Sequence, residues 1–166
     1  LGQAFQMNVI AHEPYPDKEF AAKQGIPLLS LDDVLKQADW VTLHMPMLPE
    51  SRQCINKRTL ALMKPTAFLI NTARGGVICE PDLYEALKNK RIAGAGLDVF
   101  DEEPPGNNPL LTLDNVVMTA HTAGVDVKSR DDMARLAARA IAKLLAGEWP
   151  AEWIVNPQAR EKFFAR

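Results

Sequence analysis

Three kinds of side chain that can act together on a small acid each follow a run with the composition of a buried β-strand. Arg74 lies in Ala73-Arg74-Gly75-Gly76 behind the run 67–72, Asp101, Glu102 and Glu103 follow the run 93–100, and His121 follows 116–120. In an open parallel sheet, ligands bind beyond the carboxyl ends of the strands, so these loops are expected on one edge. The set suits one reaction class. A guanidinium grips a carboxylate in a two-pronged contact, a histidine gives or takes a hydroxyl proton, and a carboxylate holds the ring's orientation and charge. The hydrogen on carbon then leaves or arrives as hydride, which requires a cofactor. Gly75 and Gly76 let the backbone behind Arg74 come close to what it holds.

Other residues carry weaker signals. Glu13 ends the run 8–12, where an acid can accept both hydroxyls of an adenosine ribose; Pro14 and Pro16 beside it equally suit a solvated turn. His44 ends the run 40–45 and is read as a hydrogen-bonded structural histidine, with His12 at the surface. Gly94-Ala95-Gly96 lies inside a strand pattern and precedes no helix, so it is read as close packing and not as a phosphate loop. Cys54 and Cys79 fit neither a zinc nor a redox spacing and are taken as free thiols, which places the protein in a reducing, cytoplasmic setting. No metal site is expected.

The elements that must position these residues alternate along the chain. Short runs rich in β-branched and apolar residues (8–12, near 27–29, 40–45, 67–72, 93–100, 116–120) are separated by helical patterns, the signature of an α/β fold with a parallel sheet covered by helices. Ser30-Leu31-Asp32-Asp33 resembles a capping box for a helix through Gln37, Asn56 caps a helix over 57–63 that stops before Pro65, and Glu80-Pro81 opens the next. A long helix over 127–146 has one wide apolar face and ends at Gly147. Residues 148–166, rich in aromatic, proline and charged residues, show no such alternation and are read as a segment made to pack on something else. The Pro-rich stretch 102–109 reads as a functional loop because strand patterns resume beyond it.

Bulk properties narrow the partners. A chain of 166 residues, 47% hydrophobic, holds one core. A net charge of −2 with 24% charged residues offers no basic stripe for nucleic acid and no polybasic patch for a membrane, and no run is long enough to span one. A small-molecule partner is expected.

Three segments, taken in order, carry a family likeness: Asn71-Thr72-Ala73-Arg74-Gly75-Gly76; Gly96-Leu97-Asp98-Val99-Phe100 with Glu103-Pro104; and Asn115-Val116-Val117 through His121. Together they resemble the D-isomer-specific 2-hydroxyacid dehydrogenases over almost the whole chain. The resemblance implies Arg74, Glu103 and His121 as catalytic arginine, supporting acid and acid/base histidine. It places Glu13, Pro46, Thr72, Ala73, Arg74, Asp98, His121 and Ala123 against the cofactor, with Glu13 implying NAD. Ala120 stands where the family more often has proline, and Thr122-Ala123-Gly124 replaces a more usual Ile-Gly-Gly or Ile-Ala-Gly. The implied fold is a Rossmann-like doubly wound sheet truncated at its N-terminal strand and glycine-rich loop, over 1–125, followed by a crossing helix and return segment over 126–166. The implied activity is hydride transfer between NAD and a small D-2-hydroxy or 2-keto acid, by a homodimer joined through the cofactor domain. The 166 residues alone are expected to be inactive. A dinucleotide-sensing corepressor on the same fold, or an inert piece of the parent enzyme, are the alternatives.

Overall fold

The computed structural model describes residues 1–165. They form two compact units, one over Leu1–His121 and the other beginning at Thr122. In the first unit helices and strands alternate: α1 (Lys18–Lys23), α2 (Leu31–Gln37), β1 (Trp40–Leu43), α3 (Lys57–Leu60), β2 (Phe68–Asn71), α4 (Glu80–Lys88), β3 (Gly94–Leu97) and β4 (Val116–Met118). The four strands make one parallel sheet in the order β1-β2-β3-β4. Parallel pairing with a helix between β1 and β2 and between β2 and β3 is the arrangement the alternation predicts, whereas only a short 3-10 turn, Pro109–Thr112, lies between β3 and β4.

The helix starts follow the cap chemistry. The Ser30 hydroxyl accepts from Asp33 N at 3.1 Å to open α2, and Asn56 Oδ1 accepts from Arg58 N at 3.1 Å to open α3. Pro81 sits in the first turn of α4, where its missing N–H is no loss. The helix after Asn56 is shorter than its apolar pattern. Beyond Leu60 the bonds become Leu62 N to Thr59 O and Met63 N to Leu60 O, tight turns that end the helix ahead of Pro65.

The strands are also shorter than the apolar runs containing them. After β3, Asp98, Val99 and Phe100 stay buried at 4%, 2% and 7% exposure, yet they pack in loops outside the ladder. Apolar composition reports burial, not sheet membership. The expected strand at 8–12 is reduced to a single bridge between Ala11 and Leu28. Ala11 N donates to Pro27 O and Leu29 N donates to Ala11 O, but Pro27 has no N–H with which to extend the ladder.

One face of the sheet carries the core: Val41, Leu43, Leu69, Ala95, Leu97 and Val116 pack with Leu35 of α2, Leu60 of α3, and Leu83 and Leu87 of α4. On the other face Trp40 stacks on Phe68 with centroids 4.6 Å apart, and Val117 is exposed. There a Cβ on Gly94 would lie 2.8 Å from Asn115 O and 3.0 Å from the Phe68 ring, so close packing is why glycine stands in this strand.

The second unit opens with α5 (Val127–Leu145), capped by Asp126 Oδ1 accepting from Ser129 N at 2.9 Å, and followed by Gly147 at φ +77°. Met133, Leu136, Ile141 and Leu145 on it are exposed. The segment beyond carries no strand, in keeping with the absence of helix–strand alternation in its sequence, and folds as a turn and a short helix. A short turn at Ala151–Trp153 leads to α6 (Ala159–Phe164), and Phe163 and Phe164 pack edge to face at 5.1 Å with Trp149 5.9 Å from Phe163. Three aromatic rings give the tail a small cluster of its own. No described helix is long and apolar enough to cross a membrane.

Candidate active site

The loops behind β2, β3 and β4 converge, as strand order requires, and Arg74, Glu103 and His121 line one open cleft of about 320 Å³ with Met47, Gly75, Gly76, Phe100 and Asp101. Each is aimed by a separate local device.

Arg74 is carried by a turn built on Asn71, the last residue of β2 and fully buried. Its Oδ1 accepts from Ala73 N and its Nδ2 donates to Arg74 O, both at 3.0 Å. A buried side-chain amide thus replaces the ladder where the strand stops. The exposed guanidinium donates to Ala73 O at 2.6 Å and makes no ion pair among the described residues.

Behind Arg74 the backbone touches the acid loop. A Cβ on Gly75 would lie 1.9 Å from the carbonyl carbon of Phe100 and 2.2 Å from Asp101 N. No side chain fits there, so the pair Gly75-Gly76 joins the arginine turn to the loop carrying Glu103.

Glu103 and His121 are paired. Glu103 Oε2 lies 2.7 Å from His121 Nδ1, and Oε1 accepts from Phe100 N at 3.1 Å. An ionised carboxylate only accepts, so Nδ1 carries the ring proton and Nε2 is the atom left for chemistry. The hydrogen bond from His121, followed by that from Phe100 N, holds the Glu103 carboxyl below the usual glutamate range, against a raising effect of the Asp98 charge.

His121 has a left-handed backbone, φ +55°, a conformation costing a non-glycine residue about 1 kcal/mol. It is held by the bond from His121 N to Asp98 O at 2.9 Å. Asp98 is buried beneath this turn and accepts from the Thr119 hydroxyl. It therefore braces the histidine loop and does not line the cleft.

The remaining expected residues, Ala123 excepted, lie on the same unit, apart from the cleft. Pro46 and Thr72 are exposed beyond β1 and β2, Ala73 is half-buried in the Asn71 turn, and exposed Glu13 follows the Ala11 bridge with Oε1 accepting from Tyr15 N at 3.0 Å. Ala123 belongs to the second unit. His44 is exposed and its Nε2 pairs with Thr42 Oγ1 at 2.9 Å, while His12 Nδ1 pairs with Leu29 O. Both cysteines are free and half-buried, and burial pushes the Cys54 thiol up, away from thiolate reactivity. Among the described residues no group of three or more His, Cys, Asp or Glu is placed to hold a metal. Sequence reasoning missed Asn71 as a turn builder and Glu80 and Asn108 as loop ties. A buried asparagine ending an apolar strand was the one readable signal.

Comparison with known proteins identifies the family of the chain. The family described as D-isomer specific 2-hydroxyacid dehydrogenase, NAD binding domain, matches residues 1–123. The D-3-phosphoglycerate dehydrogenase of Methanocaldococcus jannaschii is 46% identical over 93% of this chain and 29% of its own length. The glyoxylate reductase of Korarchaeum cryptofilum is 38% identical over 94% of this chain and 47% of its own. Among solved structures, the NAD-complexed D-isomer specific 2-hydroxyacid dehydrogenase from Lactobacillus delbrueckii ssp. bulgaricus superposes with a TM-score of 0.84 at 32% identity, over 93% of this chain and 50% of that one. The chain spans half or less of the length of each.

Proposed function

Because the chain belongs to the D-isomer specific 2-hydroxyacid dehydrogenases, through their NAD binding domain, we propose that it forms the catalytic edge of an enzyme interconverting a small D-2-hydroxy acid and its 2-keto acid. The observation that carries this reading is the 2.7 Å pair of Glu103 Oε2 and His121 Nδ1 in one cleft with Arg74. The guanidinium holds the substrate carboxylate by its two-pronged donor face. In the reducing direction His121 Nε2 gives its proton to the carbonyl oxygen. In the oxidising direction the neutral ring takes the hydroxyl proton. Glu103 keeps Nδ1 protonated and balances the imidazolium charge.

The dinucleotide supplies or accepts the hydride. The family resemblance supplies the residues that would hold it. Glu13 takes the ribose hydroxyls, which favours NAD, and Pro46, Thr72 and Ala73, with Arg74, Asp98, His121 and Ala123, flank the rest. The doubly wound completion of the sheet, a homodimeric assembly and a reducing compartment belong to the same proposal. The exposed apolar side chains of α5 and the unpaired thiols support the last two.

The test is turnover. A protein carrying this chain is expected to consume NADH with at least one small 2-keto acid, and His121→Gln is expected to abolish that consumption while weakening NADH binding far less. Binding of NADH without turnover of any such acid would favour a dinucleotide-sensing role and overturn the proposal.

A further inference from the structure

The loop 101–108 has little to hold it. It is largely exposed, and among the described residues its one internal backbone hydrogen bond runs from Asn108 N to Pro105 O. Yet it must fix a carboxylate to within a hydrogen bond of a ring on another strand's loop. Both of its ends lead to one side chain in another element. Glu80 Oε1 accepts from Asp101 N at 2.7 Å, just before Glu103, and Glu80 Oε2 accepts from Asn108 Nδ2 at 2.5 Å, at the far end. Asn108 is itself pinned, because its Oδ1 accepts from Leu110 N at 3.0 Å. Glu80 is half-buried at the start of α4, a helix anchored in the core by Leu83 and Leu87.

We propose that Glu80 is a positioning residue for the Glu103–His121 pair, its two carboxylate oxygens clamping both ends of the loop that presents Glu103 to the ring. This rests on the reading of that pair as the acid/base couple. The clamp needs length and two acceptors together. Glutamine in its place keeps one acceptor but turns an NH2 toward Asp101 N or Asn108 Nδ2. Asn108 cannot answer by flipping without giving up Leu110 N. Aspartate keeps the charge, and with it the favourable first-turn acid of α4, but draws both oxygens back by one methylene.

The readout is the titration of the Glu103 carboxyl, followed by carbon NMR in the 166-residue chain. The groups facing it are His121 and Phe100 N, which lower it, and Asp98, which raises it. If the clamp aims Glu103, both Glu80→Asp and Glu80→Gln move the midpoint up toward the ordinary value of about 4.3. Asn108→Ala, which cuts one tie and leaves α4 intact, moves it the same way by less. A bare charge effect has the opposite sign, since removing a carboxylate's charge lowers a neighbouring carboxyl's midpoint. In a protein with turnover, kcat falls about tenfold in both Glu80 variants, as expected when an orienting residue behind a working group is lost, with KM for the dinucleotide unchanged. A Glu103 midpoint unchanged in all three variants, or lowered in Glu80→Gln, overturns the proposal. Shifted midpoints in a parent protein that turns over no 2-keto acid would leave the clamp standing and remove the catalytic reading instead.

Discussion

At the scale of single residues, the site separates charge from shape. Arg74 offers a planar fork that a lysine ammonium cannot copy, so Arg74→Lys is expected to lower kcat/KM by about 100-fold while changing dinucleotide affinity little; steady-state kinetics with direct binding measurements checks this. The Glu103 carboxyl is held low first by His121 and second by Phe100 N. His121→Gln should therefore raise the Glu103 midpoint without returning it fully to the ordinary value, read by the same carboxyl titration. A group whose folded midpoint is depressed stabilises the fold above its unfolded value and loses that contribution as pH falls through the folded one. The pair therefore persists at and above the ordinary glutamate value of about 4.3 and is lost only at more acid pH. Since the proposed mechanism consumes a protonated ring in reduction and a neutral one in oxidation, the pH–rate profiles of the two directions are expected to slope oppositely. Parallel profiles would remove His121 from the proton path.

At the scale of elements, the active loops touch one another as well as the strands they follow. Gly75 lies so close to Phe100 and Asp101 that a single methyl must displace either the arginine turn or the acid loop. Gly75→Ala is expected to cost about 3 kcal/mol in urea unfolding, at the upper end of ordinary overpacking, and to reduce turnover further than that loss of stability accounts for. An unchanged unfolding midpoint would show that the contact relaxes without strain. The helix starts were legible because Ser30, Asn56 and Pro81 act through their own side chains within a few residues. The element ends were not: α3 tightens into turns past Leu60, short of the stop that Pro65 marks, and β3 leaves the ladder after Leu97 while the chain stays buried.

At the scale of the whole molecule, the 166 residues contain no Gly-x-Gly-x-x-Gly turn, and a pyrophosphate is ordinarily held by the N–H donors of such a turn and the helix behind it. Calorimetry on the isolated chain should accordingly find NAD affinity on the order of millimolar or weaker. Micromolar binding would require a phosphate site built without that turn. Met133, Leu136, Ile141 and Leu145 leave α5 with an exposed apolar stripe, and the α/β unit has an uncovered sheet face around Trp40 and Val117. Two-fold association is the expected response, and light scattering should give a mass that rises above the monomer with concentration.

The sequence alone determined which side chains follow the strands and how the elements alternate. Arg74, Glu103 and His121 each stand a few residues past an apolar run, and since parallel strands share an edge, their meeting followed from local pattern and one topological rule. The tertiary structure decided what depends on contacts between residues distant in the chain. It placed Asp98 beneath the histidine turn and not in the cleft, because burial of a carboxylate depends on which loops cover it. It reduced the run at 8–12 to one bridge, because a strand exists only where a partner donates and accepts. It also joined Glu80 to Asp101 and Asn108, more than twenty residues away. No spacing rule encodes such a tie, because hydrogen bonds across that separation are set by the packing of whole elements and not by the period of any one of them.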